Sequence, residues 1–413
     1  MSTVKTGHSE PVGHKEDGRN TTLWWVLLVV LAAGVAAVTV LVYGKGLSGA
    51  DIEVYRGGGA TLLHGGVLYD FVSSIPLQFT YPPFIALLFA PLGLLSMNVA
   101  TAVWALLSMF ALEAVIWILL GAAGVVSRRN RVILTVIGTV TALSLAPVSA
   151  NLWTGQINIF LMLIVVADLV LARGRFRGIG VGIAAGIKLT PLIFIPYLIL
   201  SRQTRSGLTA SAGFAGTVLT GFVLLPSEST RYWFDALQDI KRVIPVEDAW
   251  IFNQSMLAVL KRLPGAPEQL WLPLAVAVGI GGLVIAAWAT RRGHELAGIV
   301  ACSLTGLLIS PVSWPFHWVW FVPLLLLFAV RAWRSAVVLE RASVCLLWLA
   351  FAATSYWTFM TFFHQPVPTV PTAVFANLFA PISIVVLAAL AIFLWRERLS
   401  GGTRHRSRQD TAR

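Results

Sequence analysis

The sequence predicts an all-α polytopic membrane protein, and three observations carry that prediction. Hydrophobic residues make up 57% of the 413-residue chain and charged residues only 12%. A soluble domain has no place to hide so much apolar surface. The apolar residues also come as separate runs near bilayer-spanning length, and residues 23–43 (LWWVLLVVLAAGVAAVTVLVY) carry no charge at all. Finally, basic clusters punctuate the runs: Arg128-Arg129-Asn130-Arg131, Arg173 to Arg177, Arg202 to Arg205, Arg291-Arg292, Arg331 to Arg334, and the tail from Arg396. Arginine retained on cytoplasmic loops accounts for the net charge of +12. No basic stripe interleaved with aromatics is present, so nucleic acid is not an expected partner.

The elements follow in order. Residues 1–22 form a polar cytoplasmic tail, 23–395 the membrane domain, and 396–413 a basic cytoplasmic tail. The run at 23–43 is much longer than the apolar core of a signal peptide and reads as an anchor. Residues 82–125 need an odd number of crossings but are too long for one, so 83–95 is expected as a short juxtamembrane helix and 99–125 as the span. Residues 131–148 and 157–173 make a hairpin. Residues 178–201 lie between two basic clusters and need zero or two crossings; Lys188-Leu189-Thr190-Pro191 sits at their middle. Two short half-helices meeting there are expected, a break tolerated only under cover of protein or a watery cavity. Three further hairpins pair 207–226 with 271–290 across a long loop, 296–312 with 317–331, and 337–357 with 373–395. The positive-inside bookkeeping totals roughly twelve crossings.

The same bookkeeping places most polar loop residues on one, exoplasmic, side. Asp51 and Glu53 stand just beyond the first span. On a helix they point to different faces; on an extended loop they share one. They suit either a solvated helix end or a general base acting on a sugar hydroxyl. Asn151-Leu152-Trp153-Thr154-Gly155-Gln156-Ile157-Asn158 is a compact polar break whose amides suit sugar hydroxyls or exposed helix ends. Asn253 and Ser255 suit helix capping, with Gln254 between them. His317 is expected to open a membrane helix, where backbone N–H groups favour an anion such as phosphate. Lys188 and Glu113 are intramembrane ionisable groups and therefore functional candidates, Lys188 as a contact for a lipid phosphate. Asp168 is expected to pair with Arg173 at a helix end. Cys302 and Cys345 lie in apolar runs as packing thiols, with no metal-ligand spacing. No Walker loop, dinucleotide fingerprint or zinc-protease motif occurs. Neither a metal nor an organic cofactor is expected, and a sugar donor for such a chain would be a lipid.

Taken in order along the chain, these motifs resemble glycosyltransferase family 87 of the GT-C superfamily. The matching elements are Asp51 with Val54-Tyr55, Gly65 to Tyr69, Phe79-Thr80-Tyr81-Pro82-Pro83, Asn151 to Gln156, Gly186-Ile187-Lys188-Leu189-Thr190-Pro191, Asn253-Gln254-Ser255, and Ser310-Pro311-Val312-Ser313-Trp314 with His317-Trp318. The resemblance implies a GT-C fold with exoplasmic juxtamembrane helices, a polyprenyl-phosphate-sugar donor and an exoplasmic acceptor in the plasma membrane. Within the family the chain looks most like mycobacterial polyprenyl-phosphate-mannose-dependent α-(1,2)-mannosyltransferases, which act on phosphatidylinositol mannosides. The family's catalytic base maps onto Asp51. His317, with Lys188 or Arg231, would support the leaving phosphate, and Glu53, Tyr81, Asn151, Gln156, Asn253, Gln254 and Trp314 would line the substrates. The family often carries two adjacent histidines after its Ser-Trp; here Phe316 takes the first position. A lipoglycan-branching mannosyl- or arabinosyltransferase, or a flippase for lipid-linked sugars, is the alternative. A transporter would place its ionisable groups near the midplane rather than on one face.

Overall fold

A computed structural model describes residues 47–125, 127–239, 242, 252–335, 337–364 and 374–410, with backbone alone over 355–364 and 401–410. The expected anchor at 23–43 and the N-terminal tail lie outside these residues. Among the described residues the architecture is helical, and the only extended pairing is an isolated bridge between Val72 and Gln78.

The first helix, α1 (Ala50–Leu63), precedes α2 (Pro83–Gly93) and α3 (Met97–Ala122). Pro83 opens α2, where its missing N–H costs nothing. The short helix and long span expected over 83–125 are therefore both present. Next come α4 (Arg128–Ala142) and α5 (Ala146–Thr154), bent by 76° at their junction, and α6 (Asn158–Leu171). The bend puts Asn151 on a helix rather than in the loop expected for it. The chain continues through α7 (Ile179–Ile187), a 3-10 turn at Thr190–Ile193, α8 (Phe194–Leu200) and α9 (Thr204–Leu224). Short helices α10 (Pro226–Arg231) and α11 (Met256–Arg262) lead to α12 (Trp271–Arg291) and α13 (Glu295–Ile309). A 3-10 segment, Pro315–Trp320, runs into α14 (Phe321–Arg334); α15 (Val338–His364) and α16 (Phe379–Asp410) close the order. The helix α16 carries the backbone of the basic tail as far as Asp410.

Among the described residues, five stretches are long and apolar enough to cross a membrane: Met97–Ala122, Thr204–Leu224, Glu268–Arg291, Pro315–Arg334 and Phe379–Ser400. The bent pair α4–α5 makes a sixth if it is one span. The chain is a multi-pass membrane protein.

The half-helices expected around Lys188 form a re-entrant hairpin. With 9 residues in α7 and 7 in α8, neither reaches the ~20 residues a crossing needs. Their directions follow from what they touch. A Cβ on Gly178 would meet the Ser206 carbonyl, one on Gly182 would stand 2.3 Å from the Ala210 carbonyl oxygen, and one on Gly186 would strike Thr217. Both numbers rise together, so α7 runs parallel to α9. Gly207, near the start of α9, faces Ile199 near the end of α8, so the hairpin has returned to its starting level. Asp168 caps the entry to α7, accepting from the amides of Gly178 at 2.9 Å and Val181 at 2.9 Å. That replaces the expected pairing with Arg173, because buried helix-end amides need an acceptor more than an exposed arginine does.

The basic clusters gather at one end of the bundle. Arg177 pairs with Glu295, Arg291 donates to the Leu200 carbonyl, Arg334 to the Ala123 carbonyl at 2.7 Å, and His294 meets Glu397 at 3.2 Å. Lys188, at the hairpin tip, points to the other end. There two aromatic clusters stiffen the packing. Tyr55 stacks on Phe89 with Trp104 beside it, and Trp318 and Phe321 pack with Phe351 and Phe379.

Candidate active site

At the end away from the arginine clusters, five pieces of chain converge. The amides of Ser48 and Gly49 donate to the Trp153 carbonyl at 3.0 and 3.1 Å, fastening the start of α1 to the end of α5. Asp51 sits in the first turn of α1, and Tyr55 lies one turn on, on the same face. Glu53 points elsewhere: its carboxylate accepts from the Ser74 amide at 2.6 Å and hydroxyl at 2.7 Å. The helix therefore splits the acidic pair, and only Asp51 faces inward.

Gln156 reaches Asp51 because of the turn before it. Gly155 adopts φ 79°, and the amides of Gly155 and Gln156 both donate to the Asn151 carbonyl at 2.9 Å. A side chain at 155 would be strained there and would strike Ile52. The turn delivers Gln156 Nε2 to Asp51 Oδ1 at 2.6 Å. Gln156 Oε1 accepts from Tyr55 at 3.2 Å, Tyr81 at 3.4 Å and Asn158 Nδ2 at 3.4 Å. The two tyrosine hydroxyls lie 3.0 Å apart.

The far side of the cluster is Lys188. Its Nζ donates to Asn158 Oδ1 at 3.0 Å, lies 3.0 Å from His317 Nε2, and sits 5.7 Å from the centre of the Tyr81 ring. A charged ammonium has donors only, so His317 Nε2 is the acceptor and the ring is neutral. As expected, His317 stands at the opening of a membrane span, Pro315–Arg334. It is the third residue of a 3-10 segment kinked at Trp318, and its amide donates to the Trp314 carbonyl at 2.9 Å. The ammonium of Lys188 stands directly beside His317.

Burial pushes the Asp51 carboxyl up to about 6, while hydrogen bonds from Thr154 and Gln156 and the Lys188 charge pull the other way. Asp51 is thus a carboxylate of unusual basicity that still ionises at neutral pH.

The other expected residues are placed less centrally. Asn151 is fully buried and donates weakly to the Phe316 carbonyl at 3.4 Å, its Oδ1 lacking a partner. Asn253 Oδ1 accepts from the amides of Ser255 and Ser313 at 3.0 and 2.9 Å, and its Nδ2 donates to the Pro311 carbonyl. Ser255 caps α11. Gln254 Nε2 donates to the Phe375 carbonyl at 3.1 Å. The Asn253 bonds hold the turn that carries half-buried Trp314 and His317, while the Gln254 side chain ties its segment to Phe375. Arg231 pairs with exposed Asp70, outside the Asp51–Lys188 cluster. Glu113 is half-buried within α3. Sequence reasoning missed Tyr55, Thr154 and Asn158 as site residues. The spacing of Tyr55 from Asp51, four residues on one helix, was the available signal.

Comparison with known proteins bears on this geometry. A model of glycosyltransferase family 87 matches residues 79–311, a stretch holding Tyr81, Gln156, Asn158 and Lys188. The chain is 33% identical over 360 residues to a polyprenol-phosphate-mannose-dependent alpha-(1-2)-phosphatidylinositol mannoside mannosyltransferase of Mycobacterium tuberculosis, covering 81% of this chain and 82% of that one. It is 33% identical over 309 residues to a polyprenol-phosphate-mannose-dependent alpha-(1-2)-phosphatidylinositol pentamannoside mannosyltransferase of Mycolicibacterium smegmatis, covering 73% and 74%. No solved structure matches the chain significantly.

Proposed function

Because the chain belongs to glycosyltransferase family 87, we propose that it transfers mannose from polyprenyl-phosphate mannose to a phosphatidylinositol mannoside, forming an α-(1,2) linkage with inversion. The observation that carries this reading is the placement of one basic carboxylate, Asp51, and one ammonium, Lys188, at opposite ends of a single polar cluster. Inverting transfer needs those two groups on opposite sides of the anomeric carbon. Asp51 takes the proton of the acceptor hydroxyl as its oxygen bonds to that carbon. The bond from the anomeric carbon to the phosphate oxygen breaks, and its electron pair leaves with polyprenyl phosphate. Lys188 balances the charge that develops there, so no separate acid is required. Tyr81, whose ring lies beside Lys188, and Trp314 would contact the substrates, and Arg231, paired with Asp70, would meet the outer part of a glycolipid headgroup.

The reading places the site on the exoplasmic side of the plasma membrane, within a GT-C architecture whose re-entrant hairpin lowers the roughly twelve expected crossings to about ten. The arginine clusters at the opposite end support that orientation. The reaction is tested in membranes supplied with radiolabelled polyprenyl-phosphate mannose and phosphatidylinositol mannosides. Label is expected in a more polar glycolipid and is expected to be released by an α-(1,2)-specific mannosidase. Orientation is tested with Leu47→Cys and Arg205→Cys in a background lacking Cys302 and Cys345. An impermeant maleimide should label Leu47→Cys in intact cells and Arg205→Cys only after permeabilisation. The reverse pattern overturns the exoplasmic assignment.

A further inference from the structure

We propose that Asn158 and Gln156 are positioning residues, forming a one-way relay of two side-chain amides that joins Lys188 to Asp51 and fixes the orientation of the carboxylate. The inference rests on reading Asp51 as the base. Every link donates in the same direction. Lys188 Nζ donates to Asn158 Oδ1 at 3.0 Å, Asn158 Nδ2 to Gln156 Oε1 at 3.4 Å, and Gln156 Nε2 to Asp51 Oδ1 at 2.6 Å.

An amide side chain can in principle turn over, exchanging its oxygen and nitrogen. Here the charged ends forbid it. Turning Asn158 would set an NH2 against the ammonium; turning Gln156 would set an oxygen against the carboxylate. The hydroxyls of Tyr55 and Tyr81 donate to the same Gln156 oxygen and favour the same orientation. Both amides are buried, Gln156 at 4% and Asn158 at 7% exposure, so these bonds are not weakened by competing water. The carboxylate is therefore held by a donor that cannot rotate away. Among the described residues, no other element brings a second charge to Asp51. Tyr55 from its own helix, Tyr81 before α2 and Thr154 from α5 are neutral, and neutral His317 stands behind Lys188.

The relay stabilises the ionised form of Asp51, so breaking it must raise the pH at which Asp51 loses its proton. Infrared titration reads this without turnover. Each protein's carboxyl band is taken as the difference from the same protein carrying Asp51→Asn. The wild-type midpoint is expected at about 6. Gln156→Leu should raise it by about one pH unit, a tenfold change in proton affinity. Asn158→Leu should move it the same way by less. Gln156→Glu should raise it most, since two adjacent carboxyls then share one proton. Melting curves in detergent establish that each variant is folded; should Gln156→Leu not fold, the other two carry the test. Unmoved midpoints in folded variants overturn the relay and leave the Asp51 assignment standing. Undiminished transfer by Asp51→Asn alongside shifted midpoints has the opposite meaning: the relay exists, but the base is another group.

Discussion

Asp51→Asn is expected to fold and insert as the wild type does while its transfer rate falls by about 10²–10⁴-fold, the usual cost of removing a general base. The asparagine keeps the shape of the side chain and still accepts from Gln156 through its oxygen, but it cannot take a proton. Stability should not suffer. Burial raises the Asp51 carboxyl to about 6 in the folded protein. A carboxyl raised in this way contributes stability at acid pH that is lost as pH climbs through that value. At neutral pH the ionised aspartate is thus a burden that asparagine removes, and the variant should melt at or above the wild-type temperature. The same value sets the wild-type pH profile. Asp51 must be ionised to act, so transfer should fall as pH drops through about 6, far above the range where an ordinary aspartate would stop working. A purified Asn variant with full activity would sink the assignment.

Lys188→Met is expected to cost about 10²–10³-fold in transfer, the scale of removing one charge-stabilising group from a buried site. Methionine fills similar volume and leaves Asn158 Oδ1 and His317 Nε2 without their donor. Binding of polyprenyl phosphate should weaken with it, while acceptor affinity changes little. Lys188→Arg should recover part of the rate, limited because a planar guanidinium does not reproduce the compact ammonium between Asn158 and His317. His317→Ala is expected to cost less, about tenfold, the value of one hydrogen bond that orients Lys188. Separate affinity measurements for donor and acceptor check all three variants. Greater loss in His317→Ala than in Lys188→Met would return the phosphate to the histidine.

Much of the fold was legible because a bilayer constrains sequence so strongly. Apolar runs had to mark helices, and the arginine clusters had to stay on one side. The short helix at 83–93, the long span after it and the broken hairpin around Lys188 were all readable on those grounds. Asp51, Gln156 and Lys188 were readable as rare polar groups in an apolar chain. The split of Asp51 from Glu53 was not readable, because it depends on whether residues 50–63 coil or extend, and either suited the residues. The role of Asn253 was readable only in part: its capping character was visible, but its bond to Ser313, 60 positions away, was not.

By itself, then, the sequence determined the class of protein, the positions of most helices and the short set of polar residues from which a site must be built. These follow from hydrophobic transfer and from charge placement, which act residue by residue and need no partner. The tertiary structure alone decided which of those residues meet. Lys188 and His317 are 129 positions apart, and Asp51 and Gln156 are 105 apart. Their pairings depend on a 76° bend, a left-handed glycine and a hairpin that turns back inside the bundle. Hydrogen-bond direction and carboxylate basicity are properties of such assembled neighbours. For that reason the sequence showed His317 as a polar group at the opening of a membrane helix, and only the tertiary structure set its Nε2 3.0 Å from Lys188 Nζ.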